Sequence, residues 1–559
     1  MELQLSVLQK TRMKYQLNLP KQLSEIEKLV AVEGKKLRRE KNADTKDLSE
    51  KFQNTFDQPL ISFSQEEKAS SHSMKKVGVV FSGGQAPGGH NVLAGLFDAL
   101  KVLNKDNKLY GFLGGPCGIV SNRCKEITLD MLATYRNQGG FDLIGSGRGK
   151  IETDEQFASV DKTCRMLDLD GLVIVGGDDS NTNAALIAEY FKVRNRKTVV
   201  VGVPKTIDGD LKSSEIEVSF GFDTACKVYS ELIGNILMDC LSAKKYYHFI
   251  KLMGRSASHI ALECALQTHP NVTIIGEEVL RDNKTLHEVS GDIANIIFER
   301  SEDGKNYGVI LVPEGLIEFI PEIKKMIGEL NELLSSDNPT SELINQANSP
   351  DEEVLLVNMY LTPDSANCFS SLPSSIQKQL LEERDPHGNV QVSRIETEKL
   401  LMKTVSRELD QLKTEGRYKG KFSTQHHFFG YEGRSAMPSN FDCHYCNALG
   451  YVAALLINWN LSGYMAVVKG LMNPVEDWVA GGVPLASMIS IERRGGKEKP
   501  VIEKAMVNLL GKPFLAFKTS REAWSKDDSY SSPGPIQFFG EREITDRASL
   551  TLMHESSAR

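Results

Sequence analysis

From Lys75 onward, short apolar runs rich in valine and isoleucine alternate with longer segments in which apolar residues recur every three or four positions. The predicted buried strands are VGVVF (77–81), GLVIVGG (171–177), TVVVGV (198–203), YHFIKLM (247–253), VTIIG (272–276) and GVILVPEG (308–315). Between them, VLAGLFDALKVL and AALIAEYF have the spacing of core-facing helices. Apolar strands that alternate with helices predict a parallel α/β sheet covered on both faces.

The remaining parts of the chain have different patterns. Residues 1–74 are mostly polar, include a KKLRREK run, and end in a segment, 62–73, interpreted as a linker; their apolar residues could form a docking helix. The stretch 318–416 is rich in Glu, Ser, Asn and Leu, which predicts a helical insertion. Strand patterns resume at GYMAVVKGL (463–471) and continue through LASMISIE.

Length and charge narrow the classes of function. A chain of 559 residues predicts two or three domains, and a net charge of -8 disfavours nucleic acid as a partner. No apolar run approaches the roughly 20 residues that span a bilayer, so we expect a cytoplasmic protein with no membrane association. Nine irregularly spaced cysteines indicate reduced thiols.

Cys443 and Cys446 form the closest cysteine pair, with His444 between them and His426 and His427 upstream. This spacing could begin a zinc site, but zinc needs about four ligands and the sequence has no second C-x-x-C. We therefore favour plain packing for this pair over zinc binding.

A glycine-rich turn, SGGQAPGGHN (82–91), follows the first buried strand and opens a helix. Backbone N–H groups without neighbouring Cβ atoms, at a helix N-terminus, suit a phosphate group, although tight strand-to-helix packing would also use these glycines. The turn is neither a dinucleotide motif nor a Walker loop. The segment 145–150, GSGRGK, approaches a Walker loop but has the wrong spacing, and Ile151 replaces the hydroxyl residue.

Acidic residues follow two further strands, at the edge of the sheet where open α/β folds bind ligands. Asp178 and Asp179 are adjacent carboxylates that suit Mg²⁺ bridging a phosphate, or alternatively cap the following helix. The next loop combines Lys205 and Thr206 with two more carboxylates, Asp208 and Asp210. Lysine neutralises phosphate charge, and a carboxylate that accepts a proton contributes typically ~10² to 10⁴-fold to a rate.

These motifs, with MGR at 253–255, PEG at 313–315 and YEGR at 431–434, resemble those of the phosphofructokinase family in kind and order over about residues 75–490. The segment LLEERDPHGNVQVSRIETE at 380–398 resembles its long, pyrophosphate-dependent branch.

The resemblance implies two Rossmann-like parallel-sheet domains with a helical insertion and an N-terminal extension. The expected boundaries are 1–74 for the extension, 75–220 for the pyrophosphate and Mg²⁺ domain, 221–440 for the fructose 6-phosphate domain, and 441–559 for the return to the first domain.

The resemblance also implies roles for individual residues. Asp208 would take the proton from the sugar 1-hydroxyl, Asp178 would hold Mg²⁺, and Gly83 with its neighbours would bind pyrophosphate. The implied catalytic residues are Asp208, Lys205, Thr206 and Arg255. The implied substrate-binding residues are Thr206, Ile207, Asp208, Lys245, Tyr246, Met253, Gly254, Arg255, Glu314, Tyr431, Glu432, Gly433 and Arg434.

Lys245 and Tyr246 match positions that a partner subunit contributes in this family, so the resemblance implies a homodimer with shared sites. ATP-using members have an arginine at the position of Tyr246, so this chain lacks one positive charge that they have.

The resemblance implies that Asp179 and Lys205 decide whether pyrophosphate or ATP is the phosphoryl donor, because both positions are typically glycine in ATP-using relatives. Asp179 would fill the space of the nucleotide's inner phosphate and repel it, while Lys205 would bind pyrophosphate. The implied reaction converts pyrophosphate and fructose 6-phosphate reversibly into phosphate and fructose 1,6-bisphosphate, in glycolysis and gluconeogenesis. The alternatives are an ATP-dependent phosphofructokinase and a non-catalytic regulatory subunit of the same fold; a nicotinamide-dependent dehydrogenase lacks support because no G-x-G-x-x-G occurs.

Overall fold

The computed structural model describes residues 5–37, 43–68, 72–334, 338–382, 390–494, 497–535, 546 and 548–556. The strands are β1 (Leu29–Lys36), β2 (Pro59–Gln65), β3 (Lys76–Ser82), β4 (Lys108–Phe112), β5 (Cys124–Ile127), β6 (Ser146–Gly147), β7 (Gly171–Gly176), β8 (Val199–Thr206), β9 (Phe220–Gly221), β10 (Tyr247–Leu252), β11 (Val272–Thr273), β12 (Gly308–Pro313), β13 (Thr424–Phe429), β14 (Tyr464–Lys469), β15 (Val479–Pro484), β16 (Ile489–Arg494) and β17 (Lys497–Ile502).

The α-helices begin and end with the capping and periodicity that their sequences predict; Thr153 and Thr285, for example, each precede a helix in a capping box. They are α1 (Val7–Arg12), α2 (Ala43–Lys51), α3 (Gly89–Leu103), α4 (Pro116–Val120), α5 (Leu129–Ala133), α6 (Asp154–Met166), α7 (Asp178–Val193), α8 (Phe222–Ala243), α9 (His259–Thr268), α10 (Gly276–Arg281), α11 (Leu286–Glu302), α12 (Leu316–Phe319), α13 (Pro321–Leu333), α14 (Pro339–Asn345), α15 (Pro350–Tyr360), α16 (Pro363–Ser371), α17 (Ser374–Leu381), α18 (Thr397–Thr414), α19 (Tyr431–Arg434), α20 (Asn440–Asn458), α21 (Lys512–Lys526) and α22 (Leu550–Ser556). Short 3₁₀ turns occur at Lys21–Leu23, Ile26–Lys28, Val392–Arg394, Val475–Asp477 and Leu485–Met488.

The chain divides into two compact units. The first comprises residues 1–228, 431–505 and 536–559, and the second comprises 229–430 and 506–535. Residues 506–535, which the sequence analysis grouped with the first domain, lie in the second unit. Which unit binds which ligand stays a prediction.

The first unit is built on one large sheet in the order β1-β2-β15-β14-β8-β7-β3-β4-β5. Its centre, from β14 through β8, β7 and β3 to β4, is parallel, whereas the flanking pairs are antiparallel. Every residue of β7 is buried, as is nearly all of β3 and β8. Helices on both faces explain why these strands are apolar throughout.

The second unit has a smaller parallel sheet in the order β11-β12-β10-β13. Its core continues into the predicted insertion, where α13, α16 and α18 bury Met326, Phe369 and Leu401 in the same cluster as Phe249 of β10. The helical insertion and the parallel α/β class are therefore confirmed.

The predicted strands are confirmed, with two differences in extent. Only Val272–Thr273 of the VTIIG run is strand, because the helix α10 begins at Gly276. LASMISIE starts as a 3₁₀ turn, and its strand begins at Ile489.

The N-terminal residues differ from the linker interpretation. Residues 62–65 of the supposed linker belong to β2, which buries Ile61 and Phe63 and pairs with β1 and β15 at the edge of the large sheet. β2 is the second strand of this sheet, with β1 outside it, and its polar residues alternate with the buried ones. One face of such an antiparallel strand is packed and the other faces solvent, so its sequence resembles a linker. The helix α2 buries Leu48 in the core of the first unit, as a docking helix would. Parts of the KKLRREK run (38–41) and of the 380–398 segment (383–389) lie outside the described residues.

None of the described helices has the length and hydrophobicity needed to cross a membrane.

Candidate active site

The glycine turn after β3 is surrounded by cations. Gly83 has a φ of +89°, and a Cβ atom there would lie 3.2 Å from the Nζ of Lys205. A Cβ on Gly84 would lie 2.6 Å from the Nη1 of Arg434. The positive φ favours glycine at position 83, and the absence of side chains at both positions lets the two cationic groups approach the backbone.

The backbone N–H of Gly83, which was predicted to face a phosphate group, forms a hydrogen bond within the protein. This N–H donates a hydrogen bond of 2.8 Å to the carbonyl of Gly147, so this donor is already used within the protein. The turn therefore does not present Gly83 N–H to a phosphate in the way the sequence suggested. The positive charge at the turn comes instead from the side chains of Lys205 and Arg434.

Lys205 lies at the end of β8 and is 5% exposed. Burial, reinforced by the charge of Arg434, lowers the pKa of Lys205 to about 8, and the carboxylates of Asp208, Asp178 and Asp210 oppose that change. A buried lysine beside a glycine turn can neutralise part of the charge of a phosphate group, whereas the three carboxylates oppose the approach of an anion.

Asp208 follows Lys205 in a loop whose shape is fixed by Thr206. The N–H of Asp208 donates to Thr206 Oγ1 at 3.1 Å. Asp208 Oδ1 is buried and has no hydrogen-bond partner among the described residues. Ile207 between them is 1% exposed, so its side chain packs in the interior and only its backbone is available to a substrate. An unpaired carboxylate oxygen of this kind suits a proton acceptor.

Asp210 completes the acidic loop and is 7% exposed. Burial and the neighbouring charge of Asp208 raise the pKa of Asp210 to about 7, while Lys504 acts in the opposite direction. The N–H of Ala505 donates to the carbonyl of Asp210 at 2.7 Å, which holds the segment of Lys504 against this loop.

Lys504 also lies 3.6 Å from Asp178 Oδ2, and this lysine was missed by the sequence analysis. It is separated from Asp178 by more than 300 positions and lies in no recognisable motif, so the sequence offered no local signal for it.

Asp178 is the first residue of α7, and the N-cap position is occupied by Gly177 without a side-chain cap. The alternative in which Asp178 or Asp179 caps this helix is therefore wrong.

The donor set suits Mg²⁺. Asp178, Asp208 and Asp210 are three carboxylates near one another, and Asp208 Oδ1 is buried without a hydrogen-bond partner among the described residues. Carboxylate oxygens are the ligands that a hard cation such as Mg²⁺ prefers. In the described part of the chain no three His, Cys, Asp or Glu side chains form a complete metal site. A cation here would take its remaining ligands from substrate phosphate and water.

The Cys443 and Cys446 pair is placed for packing. Both thiols are buried on α20, and a Cβ on Gly88 would lie 2.3 Å from Cys446 Sγ. His444 Nδ1 accepts a hydrogen bond of 3.1 Å from the N–H of Asn18.

Asp179 is 44% exposed and forms an ion pair of 3.1 Å with Lys150. Lys150 belongs to the GSGRGK segment, which the sequence analysis considered only as a failed Walker loop.

The YEGR motif forms the short helix α19, and its four residues differ in environment. Tyr431 and Glu432 are exposed, Gly433 is buried, and Arg434 points toward the glycine turn, 3.5 Å from the carbonyl of Gln85. Arg434 therefore lies with Lys205 beside the glycine turn of the first unit.

The MGR and PEG motifs meet in the second unit at the carboxyl ends of β10 and β12. Gly254, with a φ of +129°, donates its N–H to Glu314 Oε2 at 3.0 Å. A Cβ on Gly315 would lie only 1.9 Å from the carbonyl oxygen of Arg255. Met253 and Glu314 are buried, so this junction is preorganised before any ligand binds.

Lys245 and Tyr246 precede β10 and therefore lie at its amino end, whereas Met253–Arg255 follow its carboxyl end. A strand of six residues separates the two groups by roughly 20 Å. One copy of the chain thus does not bring Lys245 and Tyr246 to the junction of the MGR and PEG motifs.

A parallel α/β sheet whose strand ends carry a glycine turn, a buried lysine and several carboxylates is typical of enzymes that handle phosphate groups. The phosphofructokinase family model matches residues 76–350. The pyrophosphate–fructose 6-phosphate 1-phosphotransferase of Porphyromonas gingivalis is 50% identical over 99% of this chain and 100% of its own length. Subunit beta 2 of the same enzyme from Arabidopsis thaliana is 54% identical over 91% of this chain and 87% of its own length.

A crystal structure of a pyrophosphate-dependent phosphofructokinase from Nitrosospira multiformis shares the fold, with a TM-score of 0.53 and 14% identity over 86% of this chain and 98% of that chain. The chain belongs to the phosphofructokinase family.

Proposed function

We propose that this protein is a cytoplasmic enzyme that transfers a phosphoryl group from pyrophosphate to the 1-hydroxyl of fructose 6-phosphate. The products are phosphate and fructose 1,6-bisphosphate, and the reaction is reversible and belongs to glycolysis and gluconeogenesis. This activity is that of a diphosphate–fructose-6-phosphate 1-phosphotransferase, EC 2.7.1.90. The observation that supports it most directly is the buried Lys205 at the glycine turn, with Asp179 at the start of the neighbouring helix.

The first unit would bind pyrophosphate. Lys205 and Arg434 neutralise the charge of the donor at the glycine turn, and phosphoryl transfer depends mainly on such positioning and neutralisation. Asp208, whose carboxylate oxygen is buried and unpaired among the described residues, accepts the proton of the sugar hydroxyl. Asp178 would hold Mg²⁺, which would supply positive charge to the phosphate groups of the donor.

The second unit would bind fructose 6-phosphate at the junction of Met253, Gly254, Arg255 and Glu314. Glu314 is 2% exposed and already accepts one backbone hydrogen bond, so its carboxylate is held in a fixed orientation and would accept a hydrogen bond from a sugar hydroxyl. Arg255 would contribute charge to the transferring group. Tyr431 and Glu432, which are exposed on α19, would add to the sugar phosphate contacts.

The assembly we propose is a homodimer with shared sites. Lys245 and Tyr246 lie at the end of β10 away from Met253, so they would serve the site of a second copy.

A coupled assay with fructose 6-phosphate and Mg²⁺ tests the proposal by comparing pyrophosphate with ATP. We expect turnover with pyrophosphate and none with ATP. Turnover with ATP alone would favour an ATP-dependent phosphofructokinase, and turnover with neither would favour a non-catalytic subunit.

A matched variant tests the choice of donor. Asp179→Gly combined with Lys205→Gly restores the glycines typical of ATP-using relatives, so we expect weaker use of pyrophosphate and measurable use of ATP. A donor preference equal to that of the unchanged enzyme would contradict the assignment of these two residues.

A further inference from the structure

Two adjacent carboxylates begin α7, and each has its own lysine. Asp178 pairs with Lys504 and Asp179 pairs with Lys150, at 3.6 Å and 3.1 Å. The proposed donor-discriminating residue, Asp179, therefore does not present an uncompensated negative charge to the pyrophosphate pocket. Its counter-ion comes from the GSGRGK segment, which has no assigned task.

The backbone beside Lys150 is fixed to the same helix that carries Asp179. Asn183 accepts a hydrogen bond from the N–H of Ile151 at 3.1 Å and donates one to the carbonyl of Ile151 at 2.8 Å. Asn183 lies four positions after Asp179, so both side chains lie on the same face of α7. The segment 149–151 is thus attached along that face with Lys150 opposite Asp179.

The side chain of Lys150 is not held by close packing on all sides. It lines a cavity of about 340 Å³ together with Pro116, Cys117 and Arg123, and it is 23% exposed. The contact with Asp179 is therefore what orients its ammonium group. A half-exposed pair of this kind adds little to stability, so its effect is expected on binding.

We propose that Lys150 is a positioning residue for donor specificity, which holds the Asp179 carboxylate in place and cancels its repulsion of pyrophosphate. Asp179 then occupies the space of a nucleotide without penalising the smaller donor. This inference rests on the proposed function, since it deepens the account of how pyrophosphate is selected.

A double-mutant cycle tests the proposal. The variants are Lys150→Met, Asp179→Asn and their combination, with KM for pyrophosphate, KM for fructose 6-phosphate and kcat measured for each. We expect Lys150→Met to raise KM for pyrophosphate about tenfold, with smaller changes in kcat and in KM for fructose 6-phosphate. In the double variant the uncompensated carboxylate is gone, so KM for pyrophosphate should be lower than in Lys150→Met alone.

Two further variants complete the design. Lys150→Arg keeps the charge and should hold KM for pyrophosphate close to that of the unchanged protein. Lys499→Met removes a lysine from an exposed ion pair with Glu152 in the same unit and should leave all three constants unchanged.

Additive effects of Lys150→Met and Asp179→Asn, or an unchanged KM for pyrophosphate in Lys150→Met, would overturn the role of Lys150 while leaving the proposed function intact. Failure of the unchanged protein to use pyrophosphate at all would instead overturn the proposed function, and the role of Lys150 with it.

Discussion

Lys205 is a buried lysine beside the glycine turn of the first unit. Its ammonium group has the glycine turn on one side and three carboxylates around it, yet burial lowers its pKa to about 8. The charged form, which we propose binds phosphate, is thus only moderately favoured near neutral pH. Titration of this residue should be visible in the kinetics.

We expect kcat/KM for pyrophosphate to fall as the pH rises through about 8, because Lys205 loses its proton there. Lys205→Arg keeps the charge at higher pH, so the alkaline decline should move upward by about one pH unit or more in that variant. Pyrophosphate titrates identically in both assays, so comparing the two profiles removes its contribution. Superimposable alkaline limbs would show that another group is responsible.

Asp210 gives a stability prediction of defined sign. Its pKa is raised from 3.8 to about 7 on folding, so the folded protein binds this proton more tightly than the unfolded chain does. Stability contributed by this residue is therefore lost as the pH rises from about 4 to about 7, and the full cost persists above that range.

Asp210→Asn removes this cost, so without Mg²⁺ we expect its melting temperature to exceed that of the unchanged protein by a few degrees at pH 8 and by less at pH 5.5. Thermal melts at the two pH values measure the difference. Glu152→Gln, at an exposed carboxylate, serves as the control and should show no such trend. A larger gain at pH 5.5 than at pH 8 would contradict the assigned pKa.

At the scale of elements, the junction of two strand ends defines the proposed sugar phosphate site. The turns after β10 and β12 approach so closely that a Cβ on Gly315 would lie 1.9 Å from the carbonyl of Arg255. Backbone cannot yield at that distance without moving one turn. The orientation of Arg255 and Glu314 therefore depends on the absence of a side chain at position 315.

Gly315→Ala should displace these turns and raise KM for fructose 6-phosphate at least about tenfold, while KM for pyrophosphate changes much less. Gly328→Ala is the matched control, because a Cβ there meets no atom within 4 Å and alanine favours the helix α13. Steady-state kinetics with each substrate varied in turn give both constants. Equal increases in the two KM values would indicate a general loss of structure instead.

The elements also show what the sequence could reveal. Strands such as β7 and β12 were predictable because every residue is buried, so the apolar run itself is the signal. β2 was misinterpreted because it lies in the antiparallel part of the sheet and alternates buried and exposed residues. The Lys504–Asp178 contact joins positions more than 300 residues apart and arises only from the fold. The motifs predicted where the strands end, but they did not predict that Lys504 and Arg434 would lie near those ends.

At the scale of the whole molecule, the second unit is built from two separate segments of the chain, 229–430 and 506–535. A buried arginine of the first segment holds the second segment in place. Arg300 is 1% exposed and donates to the carbonyls of Ser525 and Lys526 at 3.1 Å and to Asp528 at 2.8 Å. Residues 506–535 are thereby fixed to the second unit. The second unit is therefore assembled from two separate parts of the sequence.

The proposed dimer is testable because it divides each active site between two copies. Asp208→Asn removes the proposed base, and Lys245→Ala with Tyr246→Ala removes the groups that we assign to the neighbouring site. Each variant alone should form inactive homodimers. In a hybrid of the two, one site has both defects and the other has neither.

Co-expression of the two variants should therefore restore about one quarter of the unmodified activity, because about half of the dimers are hybrids and each has one intact site. Purification through two different affinity tags would isolate the hybrids, in which about half the activity should return. Asp208→Asn paired with Lys205→Met is the control, since both changes affect the same side of the site and each hybrid site keeps one defect. Hybrids that form but remain inactive would show that Lys245 and Tyr246 do not complete the site of a second copy.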